Sequence, residues 1–306
     1  MTFLKTIAAV ALGGMMMTST ALAADKPVVG LVMKSLANEF FQNMMEGAKA
    51  HEKARGDYVL KAVGMKNETD FESQINAVEN FITQGVDAIV LAPADSKAMV
   101  RSVKKAIAAG VVVINFDVAL DAEAKKQQKL ELAFVGPDNR GGAKLAGDAL
   151  AKKIGKGAKV VIVEGNPGAD NATERRLGFE ASVEEYGLDL VDSRTAHWET
   201  EEANSVFSNM LTAHPDIKGV MAANDSMAIG VVRALQSAGR DDIVVVGFDN
   251  IPAVAPMIED GRLYATVDQF GTDMAANSID MALEVVKTGK QLEGWVKTPI
   301  ELVTKK

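Results

Sequence analysis

From residue 27 onward, short apolar runs alternate with longer segments whose apolar positions recur every three or four residues. Pro27 to Met33 is the first such run, and helical spacing follows it through Met44, Met45, Ala48 and Ala50. Tyr58 to Val63 predicts a strand, and Thr69 to Gln84 a helix with Phe71, Ile75, Val78, Phe81 and Ile82 on one face. Val86 to Leu91, a helix over Lys97 to Ala109, and Val111 to Asp117 continue the alternation, and Leu130 to Val135 closes a first set. A second set repeats it. Lys159 to Val163 leads into a helix running through Phe179 to Tyr186; strands follow at Leu188 to Thr195, Gly219 to Ala222 and Ile243 to Gly247, separated by helices at 200–213 and 226–238. Strands that are apolar at consecutive positions are buried on both faces, and helical crossovers between them make the sheets parallel. The simplest reading is two similar α/β halves with a crossing at 136–139. Leu263 to Val267, a helix over 271–288 and Thr298 to Val303 then return the chain to the first half and back.

The first 23 residues break this pattern. Lys5 precedes an apolar stretch from Ile7, and Ala21-Leu-Ala23 is a small-x-small cleavage site, so 1–23 reads as a secretory signal peptide. The chain has 306 residues, 48% hydrophobic and 24% charged, with 33 basic and 41 acidic residues for a net charge of −8. Loss of the leader removes Lys5 and no acid, leaving −9. That balance disfavours nucleic acid and anionic membrane as partners. There is no cysteine, which excludes disulfides, thiol catalysis and a lipid-attachment cysteine. An exported chain without anchor or lipid fits the periplasm.

The candidate chemistry recurs at one place in each unit, just past a strand. It comprises Asn38 with Phe40 and Phe41, Asp117, the Asp170-Asn171 segment, His197 with Trp198, Asn224-Asp225, Asp249-Asn250 and Asp268-Gln269. Ligands of open α/β sheets bind at that edge. Carboxylates accept paired hydroxyls, amides donate and accept, and rings pack on C–H faces, so this inventory suits a neutral polyhydroxylated molecule. Plainer roles compete. One of the adjacent phenylalanines is expected to anchor the core, Asp117, Asn224 and Asp249 could cap helices, and Asn171 has capping-box spacing with Glu174. Trp198 could fill the core. Gly165-Asn-Pro-Gly168 lacks the phosphate-loop pattern and reads as a turn, and His51, His197 and His214 have no metal spacing. Neither metal nor cofactor is expected.

The chain resembles the periplasmic sugar-binding proteins of ABC importers, in the branch typified by ribose- and galactose-binding proteins. The resemblance spans the mature chain and is carried by Asn38-Glu-Phe-Phe41, Asn115-Phe-Asp117, Gly136-Pro-Asp-Asn139, Ala223-Asn-Asp225, Val246-Gly-Phe-Asp249 and Thr266-Val-Asp-Gln269. It implies an α/β fold of two Rossmann-like lobes with parallel sheets joined by a three-strand hinge, the type I arrangement. The lobes would comprise 24–136 with 270–301, and 137–269 with 302–306. Asn38, Phe40, Phe41 and Asp117 would then meet the ligand from the first lobe, Trp198, Asn224 and Asp249 from the second, and Gln269 at the hinge. The implied function is capture of a small monosaccharide or sugar alcohol by hinge closure and delivery to an ABC transporter permease, by a monomer without enzymatic activity. The same resemblance allows a chemoreceptor as a further partner.

Two departures stand out. Val118 follows Asp117 where ribose-type members place an arginine, and Thr173 replaces the first arginine of the Arg-x-Arg pattern in Thr173-Glu-Arg175. Glu39 also replaces a frequent proline. Both arginines that usually engage the ring oxygen or its neighbouring hydroxyls are therefore read as missing, with Asn171 or Arg175 as substitutes; Arg175 equally fits a helix surface. On this reading the expected ligand is a linear sugar alcohol, which has no ring oxygen. A sugar-responsive repressor is disfavoured by the leader and the acidic charge. A secreted carbohydrate-active enzyme using Asp117 and Asp249 requires more assumptions than hydroxyl recognition does.

Overall fold

The computed structural model describes residues 26–305, and the expected leader and its cleavage site lie outside the described residues. Strand β1 (Val28–Ser35) is followed by α1 (Glu39–Arg55), β2 (Val59–Met65), α2 (Phe71–Thr83), β3 (Ala88–Leu91), α3 (Val100–Ala108), β4 (Val112–Phe116), α4 (Ala122–Gln127) and β5 (Phe134–Gly136). Next come α5 (Asn139–Ile154), β6 (Lys159–Glu164), α6 (Asp170–Tyr186), β7 (Asp189–Thr195), α7 (Thr200–Ala213), β8 (Gly219–Ala222), α8 (Asp225–Ser237) and β9 (Val244–Val246). A 3-10 turn at Pro252–Val254 leads to α9 (Ala255–Asp260), β10 (Ala265–Asp268), α10 (Gly271–Thr288), β11 (Trp295–Lys297) and β12 (Glu301–Thr304).

The strands form two six-stranded sheets, ordered β11-β5-β4-β3-β1-β2 and β12-β10-β9-β8-β6-β7. Every pairing is parallel except that of β10 with β12. The chain passes between the sheets three times: after β5, between β10 and β11, and between β11 and β12. Period-two alternation sorts the side chains of the first sheet. Leu31, Val90 and Ile114 join the core that includes Met44 and Ile279 of α1 and α10, while Val32, Ile89 and Val113 join Val78, Phe81 and Val103 of α2 and α3. In the second sheet α5 packs with α6, and α7 with α8.

Helix entry follows sequence chemistry. Asn38 and Asp70 cap α1 and α2 by accepting the backbone N–H groups of Phe40 and Ser73, and Gly56 closes α1 with φ of +65°. Three stretches differ from the pattern-based reading. The strand expected over Thr298 to Val303 starts only at Glu301, as β12 in the second sheet, because β11 ends at Lys297 in the first and the chain crosses between the sheets there. The strand expected from Leu130 begins at Phe134, because Lys129 sits at φ +52° and Leu130 N–H closes onto Lys125 O instead of pairing. The polar run after Asp121 is helix α4, which buries no residue and so carries no apolar periodicity. Among the described residues no helix is long and apolar enough to cross a membrane.

Candidate functional site

Both sheets turn the carboxyl ends of their strands towards one cavity between them. Four groups come from the first sheet's loops: Asn38, Phe40, Phe41 and Asp117. Five come from the second: Asn171, Arg175, Trp198, Asn224 and Asp249. Gln269 enters from the crossing after β10.

Local backbone geometry aims several of these side chains. Asp117, Trp198 and Asp249 have φ of +63°, +72° and +114°, a region that costs roughly 1–3 kcal/mol per residue and persists where surrounding contacts over-determine it. Asn115 supplies such contacts for Asp117: its Nδ2 donates to Val118 O (2.7 Å) and its Oδ1 accepts from Leu120 N (2.9 Å). Asp225 does so for Asp249. Its carboxylate accepts from Ile251 N (3.1 Å) and Thr266 Oγ1 (2.7 Å), and burial pushes it well above the usual carboxylate range. Gly165 leaves room for the indole of Trp198, which a Cβ at that position would overlap.

The two phenylalanines both line the cavity, in an edge-to-face pair with centroids 5.2 Å apart, so neither is only a core anchor. Phe40 also packs on Gly271 at the start of α10. Asn38 and Asn224 each combine two roles. Each caps a helix, Asn38 accepting from Phe40 N (3.0 Å) and Asn224 from Met227 N (2.8 Å), while lining the site. Asn171 does not cap: α6 starts at Asp170 behind Ala169, and Glu174 instead pairs with Arg140.

Arg175 belongs to the cavity and not to the helix surface, with 2% of its surface exposed. Its Nε donates to Asn139 Oδ1 (2.9 Å), and its Nη1 to Ala223 O (2.8 Å) and Asp249 Oδ1 (3.3 Å). The guanidinium stacks on Phe248, 3.6 Å from the ring centroid. Of the two positions left open for Arg175, a substitute in the site or a helix surface, the structure has the first: its guanidinium reaches the cavity, two residues after Thr173. Arg175 shares the one buried face of α6 with Asn171, Gly178 and Ser182, and a face so poor in apolar residues gives hydrophobic periodicity nothing to mark.

Two residues outside the sequence-based set complete the lining. Lys34 Nζ lies 2.9 Å from Glu68 Oε2, both buried, and Glu68 Oε1 accepts from Asn38 Nδ2 (2.7 Å). Lys34 stands at the carboxyl end of β1 and Glu68 just after β2, and scanning every strand end and the loop beyond it for charge would have found them.

Three carboxylates (Glu68, Asp117, Asp249) thus face two cations (Lys34, Arg175). Burial pushes Asp117 up to about 6, against the pull of Lys34 and Arg175. Burial likewise pushes Asp249 up to about 7, against Arg175, while Gln269 Nε2 donates to its Oδ1 (2.7 Å). Burial lowers Arg175 from its ordinary value, opposed by Asp249 and Asp117. Among the lining groups, Asp117 Oδ1, Asn171 Oδ1 and Gln269 Oε1 are buried acceptors without a protein partner, and Trp198 Nε1 is such a donor. Buried polar atoms are normally satisfied, so this surplus of acceptors calls for a molecule carrying several O–H donors.

Comparison with known proteins agrees with this chemistry. The periplasmic binding protein domain family matches residues 29–291. The D-ribose/D-allose-binding protein of Pseudomonas aeruginosa is 48% identical over 285 residues, covering 92% of this chain and 89% of its own. The ribose import binding protein of Escherichia coli is 34% identical over 299 residues, covering 98% and 97%. A periplasmic solute-binding protein of an ABC transporter from Actinobacillus succinogenes, solved with bound D-allose, superposes with a TM-score of 0.86 at 38% identity, over 92% of this chain and 98% of that one.

Proposed function

The chain belongs to the periplasmic sugar-binding proteins of ABC importers, and on that premise we propose that its cavity captures one small monosaccharide by lobe closure and presents it to a transporter permease. The family binds and does not catalyse, and it works outside the cytoplasm. The observation that carries the ligand class is the set of buried, unpartnered acceptors beside aromatic faces, since a sugar offers hydroxyl donors around its rim and C–H groups on its faces. On this reading Asp117 and Asp249 each accept hydroxyls, Asn38, Asn171, Asn224 and Gln269 orient them, and Phe40, Phe41 and Trp198 pack on the ring. Arg175 lies beside Asp249 to meet a ring oxygen or its neighbour, which favours a cyclic sugar over a linear alcohol.

The relatives' names make D-ribose and D-allose the first candidates. The lobes on this reading are 24–136 with 270–301 and 137–269 with 302–306, the leader is cleaved, and a monomer suffices because one chain supplies the whole site. The closed surface read by the permease would also serve a chemoreceptor.

The test is a thermal-shift screen of ligand-stripped mature protein against pentoses, hexoses, pentitols, hexitols and inositols. At a thousandfold excess over Kd, binding stabilises by ~4 kcal/mol, a rise of roughly 8–16 °C for a chain of this size. Such a rise with D-ribose or D-allose supports the reading. A rise confined to alcohols keeps capture and replaces the ligand class, and silence across the panel refutes it.

A further inference from the structure

Among the described residues, six direct hydrogen bonds cross the cleft, and half of them join the loop after β3 to the turn after β6. Asn166 Nδ2 donates to Ala94 O (3.2 Å), Ser96 N to Gly168 O (2.9 Å), and Asp170 N to Ser96 Oγ (2.9 Å). The others are single contacts: Ser226 Oγ to Asn38 Oδ1, Glu68 N to Glu199 Oε1, and Ala253 N to Glu39 Oε2. Ser96 is buried and reaches in a second direction as well. Its Oγ donates to Ala119 O (2.7 Å), and its carbonyl accepts from Asp121 N (3.0 Å). One serine therefore holds the loop that carries Asp117 with two bonds and grips the opposite lobe with two more.

We propose that Ser96 is a positioning residue for capture: with the Asn166–Asp170 turn it forms a latch that ties the Asp117 loop to lobe closure and sets how long a bound sugar is retained. This inference rests on the binding reading above. Its far side is the start of α6, the helix that carries Asn171 and Arg175, so the latch connects ligand groups on both sides of the cleft. The turn read from sequence as plain thereby acquires a task. A Cβ at Gly168 would fall 2.5 Å from Asp95 Oδ2, so a glycine there permits the close approach across the cleft. The latch bonds form only when the lobes meet. Their loss therefore speeds ligand release and leaves the encounter with the open form unchanged.

The experiment uses the full mature chain with Ser96→Ala and, as a variant that leaves the Asp117 loop untouched, Asn166→Ala. Association and dissociation of D-ribose and D-allose are followed by stopped-flow tryptophan fluorescence. Because the chain has no cysteine, spin labels on Lys104→Cys and Glu184→Cys report the distance between lobes without interference. Net hydrogen-bond contributions predict a dissociation rate raised about tenfold by Ser96→Ala and about threefold by Asn166→Ala, with association within about twofold of the parent. Both variants should shift the ligand-free distance distribution towards longer separations. Unchanged dissociation in both, or an equal fall in association, overturns the latch. If neither sugar binds the parent protein, the rates are measured with whichever member of the thermal-shift panel does bind. If none binds, the functional reading fails, and the ligand-free distances decide the latch alone: identical distributions in parent and variants overturn it.

Discussion

Replacing Arg175 with methionine tests the charge balance of the cavity. The substitution keeps a long apolar stem and removes the guanidinium, with its bonds to Asn139, Ala223 and Asp249 and its stacking on Phe248. Asp249 then retains Gln269 as its partner, and Asp117 retains an oxygen with none. Removing one member of a buried ion pair costs ~3–5 kcal/mol, because the remaining charge is stranded without water. At roughly 2–4 °C per kcal/mol, the ligand-free melting temperature should fall by about 10 °C at pH 8. The loss should depend on pH in one direction. Asp249 in the folded protein is already pushed up to about 7 by burial, with Arg175 holding it down, so the variant moves it higher. A carboxyl raised on folding is protonated in the native state at pH values where the unfolded chain is ionised, so its stability contribution is present in acid and lost as pH rises through the folded value. The deficit should therefore shrink between pH 8 and pH 6. Adding Asp249→Asn, which removes the stranded charge, should recover at least half of it. Calorimetry of the ligand-free single and double variants at both pH values provides the measurement. A single variant melting within about 2 °C of the parent at pH 8, with no pH trend, would refute a buried Arg175.

Further expectations concern the same cavity. Gly165→Ala places a Cβ in the indole of Trp198 and should weaken sugar binding at least tenfold by calorimetric titration; unaltered affinity would show that Trp198 does not wall the ligand. Asp117→Asn keeps the shape but loses an ionised acceptor, so affinity should drop by ~1–3 kcal/mol while the ligand-free melting temperature holds or rises, since a desolvated charge is gone; normal binding would exclude Asp117 from the site. In the closed ligand-free form Asp117 and Asp249 are raised to about 6 and about 7, so closing takes up protons that an open, hydrated site releases. Closure is then favoured at pH 5 and loses that contribution as pH rises through 6 to 7. Small-angle scattering of ligand-free protein should give a smaller radius at pH 5 than at pH 8, and equal radii would contradict the linkage.

The alternation of strands and helices was legible because it is local. Val111 to Asp117 or Phe71 to Ile82 declare their state through spacing alone, and short crossovers make parallel pairing the consistent solution. The location of the site was legible for a related reason: in such sheets the loops after the strands converge, so Asn38, Asp117, Trp198, Asn224 and Asp249 could be grouped before their contacts were known. What tertiary structure decided was burial and partnership. Arg175, on a helix face with few apolar residues, is a surface residue or a cavity residue according to where Asn139, Phe248 and Asp249 fall, and these are distant in sequence. Lys34 and Glu68, each ordinary alone, acquire a role only as a buried pair. The same holds for Ser96, whose four hydrogen bonds reach two loops from different lobes. Periodicity reports which face of an element is apolar, whereas a charge in the interior is set by groups that only the folded chain brings within reach.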